Sequence, residues 1–140
     1  MALANGGAGR PKTLAEVSLR VRAGVASFDP ALREFLDEFY GHPNRRQVAL
    51  AEEPAPLDAV KDAYLAATAE HLSESFGLDA PAWVEGPSRM LHKPFFAGGI
   101  DALRSTLIVE SPAAFRRRLI FISADALFRP RAKANPKPVV

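Results

Sequence analysis

The chain contains no cysteine, which excludes a disulfide framework, a thiolate nucleophile and any sulfur-ligated metal. It also lacks an apolar run long enough to cross a bilayer. Met1 to Pro11 is small, glycine-rich and polar, without the apolar core of a signal peptide, so the expected location is the cytoplasm. Phosphate-binding loops are missing too: Gly6-Gly-Ala-Gly9 runs into Arg-Pro-Lys rather than Gly-Lys-Ser/Thr after a strand. No Gly-x-Ser-x-Gly elbow occurs. Only three histidines are present, and each lacks a partner set that would mark catalysis.

What is present suffices for a folded domain. The 140 residues match one domain, and 48% hydrophobic with 24% charged residues rules out wholesale disorder. Charge is divided unevenly. Residues 1–110 hold 11 basic and 15 acidic side chains, whereas residues 111–140 hold seven basic ones and only Asp125. A basic end of this kind suits nucleic acid or an acidic protein surface.

Periodicity reads as helix through most of the chain. Thr13-Leu-Ala-Glu16 has capping-box spacing, and Leu14, Val17, Val21, Val25 and Phe28 recur at helical intervals, with Gly24 a weak point. Asp29-Pro30 starts a second helix whose apolar face is Leu32, Phe35, Leu36 and Phe39. Gly41 to Asn44 ends it, and residues 45–53 form a short third helix with Val48 and Leu50 inward. The longest helix runs from about Leu57 to Phe76, along a stripe of Leu57, Val60, Tyr64, Thr68, Leu72 and Phe76 widened by Leu65 and Ala69, with alanines that permit close packing and Gly77 as its C-terminal cap. A helical turn carries Trp83, and residues 86–99 form a packed-down irregular loop with Phe95 and Phe96. Residues 100–109 are helical with Leu103, Leu107 and Ile108 inward; Glu110-Ser111-Pro112 starts a short helix through Arg118; Ser123 caps a last turn to Leu127. The apolar run 119–122 is either a buried strand or an extended segment. The expected architecture is all-α: a flexible leader over 1–12, a single multi-helix domain over 13–128 with one short extended segment near 119–122, and a basic disordered tail over 129–140.

The candidate chemistry is sparse. His71 and Glu74 stand one turn apart, the H-x-x-E spacing of half a metal site or of an unrecognised hydrolase or transferase, but no second such pair exists, so His71 reads as a half-buried or surface histidine. His42 and His92 read as loop residues. No metal, cofactor or catalytic residue is therefore expected. Residues 30–53 have helix-turn-helix form with Arg45 and Arg46 where a recognition helix would begin, although Glu52 and Glu53 oppose phosphates. Arg116-Arg117-Arg118 cannot share one helix face, because successive residues lie about 100° apart, so at least one points inward or along the body; either one pairs internally with an acid such as Glu110 and the others face water, or the block is a contact patch for an acidic partner or RNA.

Four blocks carry a resemblance: Asp62-Ala-Tyr-Leu-Ala-Ala-Thr-Ala-Glu-His-Leu72, Ala80-Pro-Ala-Trp83, Lys93-Pro-Phe-Phe96, and Glu110-Ser-Pro-Ala-Ala-Phe-Arg-Arg-Arg-Leu-Ile-Phe-Ile-Ser-Ala-Asp-Ala-Leu127. Their order resembles a poorly characterised bacterial family whose members are often fused to a helix-turn-helix domain or encoded beside a nucleotidyltransferase-like protein, in toxin–antitoxin-like pairs. The resemblance covers the second half of the chain well and the first half loosely, and it brings no catalytic residues. It implies an antitoxin-like, non-enzymatic module that neutralises a nucleotidyltransferase-type toxin partner. Aromatic residues and arginine dominate binding hot spots, so the expected partner-binding residues are Trp83, Phe95, Phe96, Arg116, Arg117 and Arg118. The alternative is a nucleic-acid-binding transcriptional regulator using Arg45, Arg46, Arg129, Arg131 and Lys133.

Overall fold

The computed structural model describes residues 9–97, 104–123 and 126–127. Thr13 opens helix α1 (Leu14–Arg22) as its spacing requires: its hydroxyl accepts from the Glu16 amide at 3.0 Å. The Glu16 carboxylate reaches back to the Lys12 amide, one residue beyond the usual target of a capping box. The helix ends before the expected stripe does. Gly24 adopts φ +77° and Val25, expected inward, is 69% exposed. Helix α2 (Phe28–Gly41) starts after Ser27, whose side chain makes no capping bond, rather than at Asp29, which sits in the first turn where its negative charge complements the helix dipole. Its apolar stripe is buried as expected.

A 3-10 turn (Pro43–Arg45) leads into α3 (Arg46–Ala51). Leu50 is buried but Val48 is 65% exposed. Two residues apart on a helix are about 200° apart, so both could not face the core; Ala49 fills the inner position beside Leu50. Helix α4 (Ala59–Phe76) is the axis of the fold. Asp58 caps it by accepting from the Lys61 amide at 2.9 Å, and Gly77 closes it at φ +66°. Burial differs from the expected stripe: Leu57, Val60, Tyr64 and Phe76 are only half-buried, whereas the five consecutive residues Leu65 to Ala69 are all fully buried. Consecutive burial requires neighbours on every side, and the small alanines let those neighbours approach.

Beyond α4 come 3-10 turns at Ala82–Glu85 and Pro87–Arg89, strand β1 (Phe95–Phe96), helices α5 (Arg104–Glu110) and α6 (Ala113–Arg116), and strand β2 (Ile120–Phe121). The apolar run near 119–122 is thus a strand, pairing in parallel with β1 in the register Phe95↔Ile120 and Phe96↔Phe121. The Phe96 and Phe121 rings stack at 4.9 Å. Ile108, expected inward, is 46% exposed, while Leu107 is buried; Leu103 lies outside the described residues. Helix α6 is one turn long and stops at Arg116 rather than Arg118. Ser111 does not cap it. The Ser111 hydroxyl instead sits against the carbonyls of Leu107 and Ile122 and accepts from the Ile122 amide at 2.8 Å, tying α5 to the end of β2. Leu119 turns the chain between α6 and β2 at φ +63°, a conformation costing a side-chain-bearing residue about 1–2 kcal/mol.

The folded body begins earlier than the expected boundary at residue 13. Pro11 is buried and the Gly9 carbonyl accepts from Arg20 at 2.6 Å. The rest of the expected leader, the 129–140 tail, and Ala124 and Asp125 of the last turn lie outside the described residues; Leu127 is buried at 4% exposure. Among the described residues no helix is long and apolar enough to cross a membrane.

Gly77 carries one direct test of this fold. No atom lies within 4 Å of where a Cβ would stand, so Gly77→Ala meets only the backbone penalty of its left-handed conformation. The variant should lose about 1–2 kcal/mol in urea unfolding with an unchanged m-value.

Candidate functional site

Two carboxylates on α4 each hold a buried guanidinium. Glu70 accepts from Arg118 at 2.5 Å, and Arg118 also donates to the carbonyls of Ala114 (2.8 Å) and Val84 (2.9 Å). Asp62 takes the Leu57 amide at 2.7 Å and lies 3.9 Å from Arg89. Arg89 donates further to the carbonyls of Asp62 and Pro54 and to the Glu53 carboxylate, and its guanidinium stacks over Trp83, 4.9 Å from the ring centre. The Trp83 indole N–H donates to the Leu50 carbonyl at 3.0 Å. The arginine block fans out because only Arg116 is helical. Arg117 bonds both Glu70 and, at 2.7 Å, Glu85. Arg116 caps α5 through the carbonyls of Ser111 (2.7 Å) and Val109 (3.3 Å).

The structure therefore places the expected partner-binding residues largely in internal joints with other residues. The Phe95 amide donates to Leu119, directly after the arginine block, and the Trp83 turn is bound to Arg118 through Val84. Arg118 was expected on the contact surface, yet it is 0% exposed; its two terminal nitrogens bond inside the fold, while its buried Nε has no partner among the described residues. The inward arginine anticipated from the triplet is Arg118, and its acid is Glu70. Trp83 and Phe96 are half-buried. Arg116, Arg117 and Phe95 reach the surface, with Phe95 at 37% exposure.

Phe95 borders an open cleft of about 1000 Å³ between the starts of α2 and α4, β1 and Leu127. Phe28, Leu32, Leu36 and Tyr64 line it. The Tyr64 ring is held edge-on by Phe28 (5.8 Å) and Phe115 (5.0 Å). Burial, with a smaller contribution from the Asp29 charge, pushes the Tyr64 hydroxyl up to about 12. That hydroxyl takes no hydrogen bond among the described residues. Asp29, Arg33, Asp58 and Lys61 stand at the rim, where Lys61 and Asp58 pair at 2.8 Å. Of the cleft, sequence reasoning singled out Phe95 alone. The lining comes from four separate segments, and Phe28 had been placed on the stripe of α1.

The remaining candidates are less promising. His71 lies edge-on to Phe115, and burial lowers its pKa. Glu74 is exposed and its pKa is raised, by burial first and then by the charge of Glu70. Among the described residues no group of three His, Asp or Glu could hold a metal ion. Arg46 is not presented outward: it donates to the carbonyls of Phe39 and Tyr40, closing α2, and stacks on Phe76 at 4.2 Å. Arg45 is exposed and shares Glu38 with Arg10 and His42, at 3.8, 3.6 and 3.4 Å. His92 is exposed, and Arg129, Arg131 and Lys133 lie outside the described residues. No protein-family model, curated protein or solved structure matches the chain.

Removing one member of a buried ion pair leaves the other charge uncompensated. Arg118→Ala should cost about 3–5 kcal/mol in urea unfolding, against about 0–1 kcal/mol for the exposed Arg116→Ala. Burial pushes the Glu70 carboxyl up, but the bonds from Arg117 and Arg118 more than reverse this and leave its pKa below the ordinary value. The stabilisation is thus present above the unfolded-state pKa of about 4.3 and lost as pH falls below it. Wild-type stability should drop more steeply below that pH than that of Glu70→Gln, measured by urea midpoints across the range.

Proposed function

We propose that this chain is a non-enzymatic, antitoxin-like interaction module of the cytoplasm that neutralises a nucleotidyltransferase-type partner. The observation that carries the reading is the open, aromatic-lined cleft bordered by the exposed Phe95. Aromatic side chains beside a preformed concavity are what a protein partner's anchor residues fill. The four-block resemblance supplies the class of partner. Arg116 and Arg117 extend the contact surface from the other end of the β1–β2 joint; Trp83, Phe96 and Arg118 act by holding that joint in place.

Nucleic-acid binding is a second reading, favoured by the grouping of Arg10, His42 and Arg45 around the single carboxylate of Glu38. Binding of that kind weakens steeply as salt rises.

A pull-down of the tagged chain from its native lysate, with and without nuclease, separates the two. The expected result is a stoichiometric nucleotidyltransferase-type protein that survives nuclease. Phe95→Asp should reduce its capture at least tenfold, as loss of a hot spot of about 2 kcal/mol requires, while near-ultraviolet circular dichroism stays native. Undiminished capture by both Phe95→Asp and the Arg116→Ala/Arg117→Ala double variant would remove the assigned surface. Nucleic acid alone, lost at high salt, would favour the second reading.

A further inference from the structure

We propose that the cleft beside Phe95 is also the seat of the chain's own C-terminal segment, residues 128–140, bound there in extended form. Covalent continuity is the first argument. Leu127, only 4% exposed, is itself part of the cleft wall, so the segment that follows is tethered to that wall. Thirteen residues can span up to about 45 Å when extended, ample to cross the cleft, and a tethered ligand acts at an effective concentration on the order of millimolar.

The chemistry of the segment fits the lining. Pro130, Pro136 and Pro138 favour the extended polyproline conformation, which costs little entropy to dock. Segments of that type pack their prolines on exposed aromatic rings and offer their carbonyls to nearby donors. Here Phe28, Tyr64 and Phe95 supply the rings, and the Tyr64 hydroxyl is the donor.

Charge offers one local contact. Residues 128–140 carry Arg129, Arg131, Lys133 and Lys137 and no acid. Of the acids on helix α2, which forms one wall, Asp29 alone lines the cleft, together with Arg33. Asp29 stands at the cleft rim with no ion pair among the described residues. Lys61, the other rim cation, is already neutralised by Asp58.

The bound segment would cover the surface assigned to the partner, so partner and tail compete; that consequence rests on the functional reading above, whereas occupancy itself does not. The test uses the full-length chain, whose lack of cysteine allows one nitroxide at Ala132→Cys, and reads amide relaxation in the ¹⁵N-labelled protein. The expected result is strong broadening of the Asp29, Lys61 and Phe95 amides in dilute solution, at least twofold relieved by Arg129→Glu/Arg131→Glu. Broadening spread evenly over the surface would overturn the proposal. So would broadening seen only when spin-labelled ¹⁴N chains are mixed with unlabelled-tail ¹⁵N chains, which would make a second copy the occupant. No partner enters this measurement, so it can succeed where the pull-down fails, and the reverse.

Discussion

The pairing of Glu70 with Arg118 is the constraint on which the second half of the molecule depends. A guanidinium with no solvent exposure must find its counter-charge and its acceptors inside the protein. Arg118 finds them in three places at once: helix α4, the carbonyl of Ala114 in α6, and the carbonyl of Val84 in the 3-10 turn. Those bonds fix where α6 and the turn lie on the central helix. β2 follows from the same point, and β1 pairs with β2, so the position of Phe95 at the cleft is inherited from the ion pair. Arg89 repeats the device two turns away on α4, where it anchors the other end of the 82–89 segment and gives Trp83 a charged face to pack on.

Much of the helical layout was legible because local signals decide it. Thr13, the Leu32–Phe39 stripe, the alanine-rich stretch and Gly77 act within a few residues of themselves, and the structure uses each as its spacing implied. The errors share a physical origin. Val25, Val48 and Ile108 are apolar and were placed inward, but a residue's side of a helix is set by what packs against that helix, which lies elsewhere in the chain. The helix starts at Asp29 and Ser111 illustrate the same limit. Both have capping chemistry, yet α2 begins one residue before Asp29, with no side-chain cap from Ser27, and Ser111 is diverted to a long-range bond with Ile122.

The site was legible in part. The arginine triplet announced that one member must turn inward or along the body, from helix geometry alone. It could not announce which, because α6 ends after a single turn and Arg117 and Arg118 leave along a different path. Residues with affinity for other proteins find internal partners instead, as Arg118 does in Glu70 and Phe96 in Phe121, since the side chains that make strong interfaces also make strong internal joints. The cleft assembles from distant segments, so no stretch of sequence displays it.

The parallel pairing of β1 with β2 has a consequence for how the chain acquires its structure. Phe95 and Ile120 stand 25 positions apart, and parallel strands can meet only after the intervening chain has crossed over. Helices α1 to α4 are neighbours along the sequence and need only short loops to close. Helix α4 packs chiefly on the 82–89 turns and α6, so the strand pair should form late, after those contacts have brought its two strands together. Such a late-forming unit is also the first to open in the native state. The cleft borders that unit, which places the surface assigned to recognition where the molecule yields most readily.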